Sequence, residues 1–155
     1  MRTPRAKAPL GPSRLSQILK NLNRHPKPVL PSLKALKLTL AARNDHFGAR
    51  HFIKEDLPRI QYTNPGMQIQ IDKIPRSVGD TWRAEMLLEF KNGSRSTMDV
   101  SDKWSTSIFE ELMARAGGDR WQAYVAERRV AGQEPVIPST QPHSTPKEGI
   151  AAALP

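Results

Sequence analysis

Side chains able to do covalent or metal chemistry are few in this 155-residue chain. It has no cysteine, which removes a disulfide framework, a thiolate metal site, a cysteine nucleophile and a dithiol redox centre. The histidines, His25, His46, His51 and His143, are scattered. Only His46 and His51 are close, and their spacing of five differs from the three or four that aligns two ligands on a helix. Glu55-Asp56 and Glu110-Glu111 are adjacent pairs pointing in different helical directions, so they read as solvated faces and not as an acid/base pair. Gly117-Gly118 lacks the Lys-Ser/Thr of a phosphate-binding loop and follows a helix instead of preceding one. Neither a catalytic residue, nor a metal, nor a cofactor is expected, and the chain does not read as an enzyme.

Charge is the property left to carry function. The net charge is +9, and it is unevenly placed. Residues 1–44 hold ten cations (Arg2, Arg5, Lys7, Arg14, Lys20, Arg24, Lys27, Lys34, Lys37 and Arg43) and no acid, while residues 45–155 hold 14 cations against 15 acids. Such asymmetry points to a polyanion as partner, either nucleic acid or an anionic membrane surface. The longest apolar run, Ile150–Leu154, is five residues, far short of the roughly 20 of a membrane-spanning helix. Trp82, Trp104, Trp121, Tyr62 and Tyr124 are aromatic groups able to stack on bases, but at strand and helix positions they read first as core. Without an aromatic ribonucleoprotein motif, a KH loop or a zinc finger, recognition by charge and shape is expected.

The elements that must position these cations follow from periodicity and punctuation. Prolines 4, 9, 12, 26, 28 and 31 break the N-terminal segment except between Pro12 and Pro26. There Ser13 is an N-cap candidate, and Leu15, Ile18, Leu19 and Leu22 form an apolar stripe on a short basic helix. Such an acid-poor segment fits two roles, a mitochondrial targeting sequence or an extension lying along nucleic acid. Leu33–Ala42 alternates as a strand. A helix follows with Ala49, Phe52, Ile53 and Leu57 on one face, Asn44 or Asp45 as cap and Pro58 as its end. The turn at residues 63–66 leads into a strand from Met67, and a third strand spans Trp82–Phe90. Asn92-Gly93 then makes a tight hairpin to a fourth strand at Arg95–Val100. A helix starting at Ser105, or at Ser107 through a Ser107…Glu110 capping box, runs to Gly117-Gly118, and another spans Asp119–Ala131. A Pro-rich tail closes the chain. The order β-α-β-β-β-α, with parallel first strands and an antiparallel hairpin, outlines a thioredoxin-like mixed four-stranded α/β sheet.

One stretch is more specific. Gly48-Ala49-Arg50-His51-Phe52, followed by Leu57-Pro58-Arg59-Ile60-Gln61-Tyr62-Thr63-Asn64-Pro65-Gly66-Met67-Gln68-Ile69, resembles the thioredoxin-like domain of mitochondrial ribosomal proteins, which is shared with a small accessory subunit of respiratory complex I. The similarity is greatest to mitochondrial small-subunit protein twenty-five and its fungal large-subunit relative, and it covers about residues 35–117. Gly48, Pro58, Gln61, Tyr62, Asn64, Pro65 and Gln68 are the motif positions. Read from the residues alone, Gly48 permits a close approach, Pro58 stops a helix and Asn64-Pro65 sets a turn. Arg50, Gln61 and Tyr62 stay open between packing and partner contact.

The resemblance implies a structural constituent of the mitochondrial ribosome in the mitochondrial matrix. The expected organisation is a basic extension at 1–32, a thioredoxin-like domain at 33–118, an additional helix at 119–132 and an irregular tail at 133–155. The ten cations of residues 1–44, with Arg50, are the expected rRNA contacts, and neighbouring ribosomal proteins are the expected partners of the domain. The large subunit is the expected location. A small-subunit protein and a complex I accessory subunit are the alternatives.

Overall fold

The computed structural model describes residues 8–43 and 45–136. Arg2, Arg5 and Lys7, the Asn44 cap candidate and most of the expected C-terminal tail therefore lie outside the described residues. Nine elements follow in order: α1 (Arg14–Leu22), β1 (Leu33–Ala41), α2 (Phe47–Glu55), α3 (Leu57–Thr63), β2 (Gln68–Ile74), β3 (Glu85–Phe90), β4 (Arg95–Asp99), α4 (Ser105–Ala116) and α5 (Gly118–Val130).

The four strands form one mixed sheet in the order β2-β1-β3-β4, with β1 parallel to β2 and antiparallel pairing along β1-β3 and β3-β4. Because side chains alternate across a strand, the register sorts them into two faces. Leu36, Leu38, Leu40, Met86, Leu88 and Met98 share one face, and all are buried. They join Ala49, Phe52, Ile60, Ile108, Phe109, Leu112 and Trp121 in a single core, so the helices cover this side. Full burial of one such side chain stabilises by about 1.5–3 kcal/mol. Lys37, Thr39, Gln68, Gln70, Glu85 and Arg95 alternate onto the other face, which stays half-exposed or exposed. The link between β2 and β3, residues 75–84, contains no helix, which leaves that face bare.

Three local expectations need correction. Pro58 does not close the helix before it but sits in the first turn of α3, where its missing N–H costs nothing and its fixed φ suits a helix start. The Ser107…Glu110 capping box does not form: α4 begins at Ser105, the other expected start, its N-cap is Trp104, and no side chain caps it. At the hairpin only Gly93 takes positive φ, at 85°. Asn92 instead accepts hydrogen bonds from the Ser94 backbone N–H (2.9 Å) and hydroxyl, so the connection is not the two-residue turn with both central residues left-handed.

Two other expectations hold in atomic detail. Ser13 caps α1 by accepting from the Ser16 N–H at 3.1 Å. Gly48 is required by a close approach: a Cβ there would lie 1.7 Å from the Lys103 carbonyl oxygen. No helix among the described residues is long and apolar enough to cross a membrane.

Candidate nucleic-acid interface

The arm of residues 8–32 packs against the domain through a buried latch. Arg59 on α3 is 2 % exposed. Its guanidinium donates to Asp56 Oδ1 at 2.9 Å, to the Arg24 carbonyl at 2.9 Å and to the Pro26 carbonyl at 2.6 Å, and it lies 5.3 Å from the centre of the Phe109 ring. Asp56 also faces Arg24 at 3.9 Å. Burial pushes the Asp56 carboxyl up to about 6, against the pull of Arg59 and Arg24. The same burial lowers the Arg59 value. Glu55-Asp56 is therefore not a solvated pair, because the chain turns between α2 and α3 and aims Asp56 inward.

Asn64 forms the second half of the latch. Its side-chain carbonyl accepts from the Leu30 N–H at 3.0 Å, and its amide donates to the Pro28 carbonyl at 2.7 Å and the Ile60 carbonyl at 2.8 Å. Asn64 is also the C-cap residue of α3. Beyond setting a turn, it ties the arm to the domain across the sequence. Pro26, Pro28 and Leu30 are buried as a result. Sequence patterning does not single out Arg59 or Asp56 as a pair. The available signal is an arginine three residues after an aspartate at a helix junction, a spacing that brings two side chains together.

The expected RNA-contacting cations divide into two groups. Arg14, Lys20, Lys27 and Arg43 are exposed and make no ion pair with a described residue. Lys34 pairs with Glu89 at 3.6 Å and Lys37 with Asp72 at 3.0 Å, both on the bare sheet face. Hydrogen bonds from Gln70 and Lys37 lower the Asp72 carboxyl, so this pairing is used within the fold. Arg50 donates to the Asp45 and Ala41 carbonyls, each at 2.8 Å, and is a structural residue. Arg24 is shared, half-exposed yet paired to Asp56. Of the motif residues, Gln61, Tyr62, Pro58, Pro65 and Gln68 lie at the surface, with Tyr62 52 % exposed.

A groove of about 380 Å³ opens between the arm and the last two helices. His25, Pro26, Lys27 and Val29 line it from the arm, and Met113, Gly117, Arg120, Trp121 and Tyr124 from α4, α5 and their junction. The rings of Trp121 and Tyr124 are 5.4 Å apart and tilted by 31°. Arg128 lies over the Tyr124 ring and donates to its hydroxyl at 3.1 Å, while that hydroxyl donates to the Pro135 carbonyl at 3.1 Å. Trp121 packs edge-on against Phe109, which meets the expectation that it belongs to the core. Arg120 is hidden in the sequence by the near-neutral balance of residues 45–155, which averages over a locally basic wall.

The bare sheet face has the opposite character. Arg83 pairs with Asp99 at 2.7 Å and Asp102 at 3.5 Å, and the Ser101 backbone N–H holds the Asp99 carboxyl below its usual range. Cations and anions there cancel locally. Near the start of α2, Asp45 pairs with Arg76, and His46 accepts from the Ala41 N–H at 3.0 Å. Burial lowers the His46 value, keeping it a neutral acceptor. Among the described residues no three His, Asp or Glu side chains group as a metal site. No protein-family model matches the chain, and no characterised protein matches it in sequence.

Proposed function

We propose that this protein is a structural constituent of the mitochondrial ribosome, in the large subunit and the mitochondrial matrix, with a non-catalytic thioredoxin-like domain. The latched arm carries the reading. Arg59 and Asn64 hold it at a fixed place on the domain, while Arg14, Lys20 and Lys27 stand exposed with no ion pair to a described acid. Fixed, unpaired cations on a proline-punctuated segment suit the phosphates of a folded rRNA, where contacts position a protein without reading sequence. The strand order β2-β1-β3-β4 supports the thioredoxin-like assignment, and the absence of any cysteine supports a scaffold in place of redox chemistry. Neighbouring ribosomal proteins are the proposed partners of the domain surface, where Gln61 and Tyr62 are available.

Sedimentation of a mitochondrial lysate through a sucrose gradient at low magnesium, which parts the subunits, tests this reading. Co-migration with large-subunit rRNA is expected. Migration with the small subunit would keep the ribosomal role and overturn the placement. A peak coinciding with complex I activity would replace the reading with that of an accessory subunit.

A further inference from the structure

The groove between the arm and α5 has a composition that phosphate tracking alone does not require. We infer that it receives one unstacked nucleotide of single-stranded RNA, with the base against Trp121 and Tyr124 and the phosphate at Lys27 and Arg120. This rests on the proposed RNA-bound role and adds a base-dependent site to it.

Three observations converge. First, the rim carries two unspent cations: Lys27 and Arg120 line the groove beside His25, no acid does, and neither cation makes an ion pair with a described residue. Several cations elsewhere on the domain do meet acids, as Lys34, Lys37, Arg76, Arg83, Lys103 and Arg115 show. Second, the wall is aromatic and apolar, with Trp121, Tyr124, Met113, Pro26 and Val29. A flat base beside such groups loses little by leaving its stack, whereas an acidic peptide would leave this wall unused. Third, α4 and α5 meet tightly at Gly117: a Cβ there would fall 2.5 Å from the Met113 carbonyl oxygen and 2.7 Å from Trp121 Cβ, so the groove is lined at this junction by a residue that has to be glycine. A duplex keeps its bases stacked inside, which leaves an unpaired nucleotide as the fitting occupant.

The test uses the full chain and two labelled probes, an eight-residue oligoadenylate and a ribose-phosphate chain of equal length without bases, followed by fluorescence anisotropy. The base-bearing probe is expected to bind about 5- to 150-fold more tightly, the range of one base–aromatic stack. Arg120→Gln, at an exposed position and on the phosphate, should weaken both probes, whereas Tyr124→Leu should erase most of that difference. Arg14→Gln should weaken both probes alike and keep it. Equal binding of the two probes would overturn the groove as a base site while leaving the arm as a phosphate binder. Failure to bind either probe would overturn the RNA-bound reading as well. Displacement of the oligoadenylate by polyglutamate as readily as by unlabelled oligoadenylate would also overturn the inference, marking the groove as a dock for acidic protein. Should Tyr124→Leu unfold, as shown by far-UV circular dichroism, the comparison of the two probes on the native protein decides the outcome.

Discussion

Two sets of cations follow one another in this chain and do opposite work. Arg14, Lys20 and Lys27 stand exposed on the arm and meet no described acid, whereas Lys34, Lys37, Arg50 and Arg59 are bound into ion pairs and carbonyl contacts of the fold. By sequence the first 44 residues are a uniform basic stretch. In three dimensions the stretch divides near Leu33, where alternation begins, apart from Arg24, which reaches Asp56 from the arm, and Arg43, which is exposed and makes no ion pair with a described residue. A strand puts Lys37 within diagonal reach of Asp72 on its parallel neighbour, but no neighbouring strand supplies an acid to the arm. Charge available to a partner is thus the charge that topology leaves unpaired, which net composition overstates.

The division depends on the latch, and breaking it should have the largest effect. Arg59→Ala leaves the buried Asp56 without its closest cation and frees the Arg24 and Pro26 carbonyls. The expected cost is about 3–5 kcal/mol, the usual penalty for breaking a buried pair, read as a lower urea midpoint. Limited proteolysis should then cut the arm faster than in the native protein. An unchanged midpoint would mean that the arm does not depend on this cation. Asn64→Ala removes three hydrogen bonds of the second half of the latch. A destabilisation of about 1–3 kcal/mol is expected, with the same faster cleavage between Arg24 and Leu33.

Asp56 sharpens the comparison through pH. Its carboxyl is raised from 3.8 to about 6, so the folded state holds a proton that the unfolded state has released across that window. Its contribution is fully present below about pH 4 and is lost as pH rises through about 6. The stability of the native protein relative to Asp56→Asn should therefore fall between pH 4 and 6 and level off above, as followed by thermal unfolding at each pH. A difference that rises over this range would reverse the assigned direction. Carboxylates held low by hydrogen bonds, such as Asp72 and Asp99, act oppositely and at lower pH.

How far the sequence discloses this molecule depends on the range of the interaction. Leu36, Leu38 and Leu40 alternate and Ile108, Leu112 and Met113 follow a helical stripe, because local periodicity mirrors which face is buried. The cap at Ser13 and the tight contact at Gly48 are equally legible, each being a local demand on one residue. The latch is not. Asp56, Arg59 and Asn64 bind groups of residues 24–30, and no spacing rule connects a side chain to a carbonyl more than thirty residues away. The groove is half legible: Lys27 belongs to the basic stretch and Trp121 and Tyr124 read as core aromatics, but their meeting with Arg120 comes only from packing α5 beside the arm.

The central claim, that the arm supplies the phosphate contacts and the sheet does not, is tested most directly by the salt dependence of RNA binding in two variants of equal charge change. One carries Arg14→Gln and Lys20→Gln, the other Lys34→Gln and Lys37→Gln, and each is titrated with single-stranded RNA between 50 and 200 mM salt. The arm variant should flatten the slope of log affinity against log salt by about 0.7 for each phosphate no longer neutralised, and the sheet variant should leave the slope of the native protein unchanged. Equal flattening in both, or flattening only in the sheet variant, would contradict the division of the two sets.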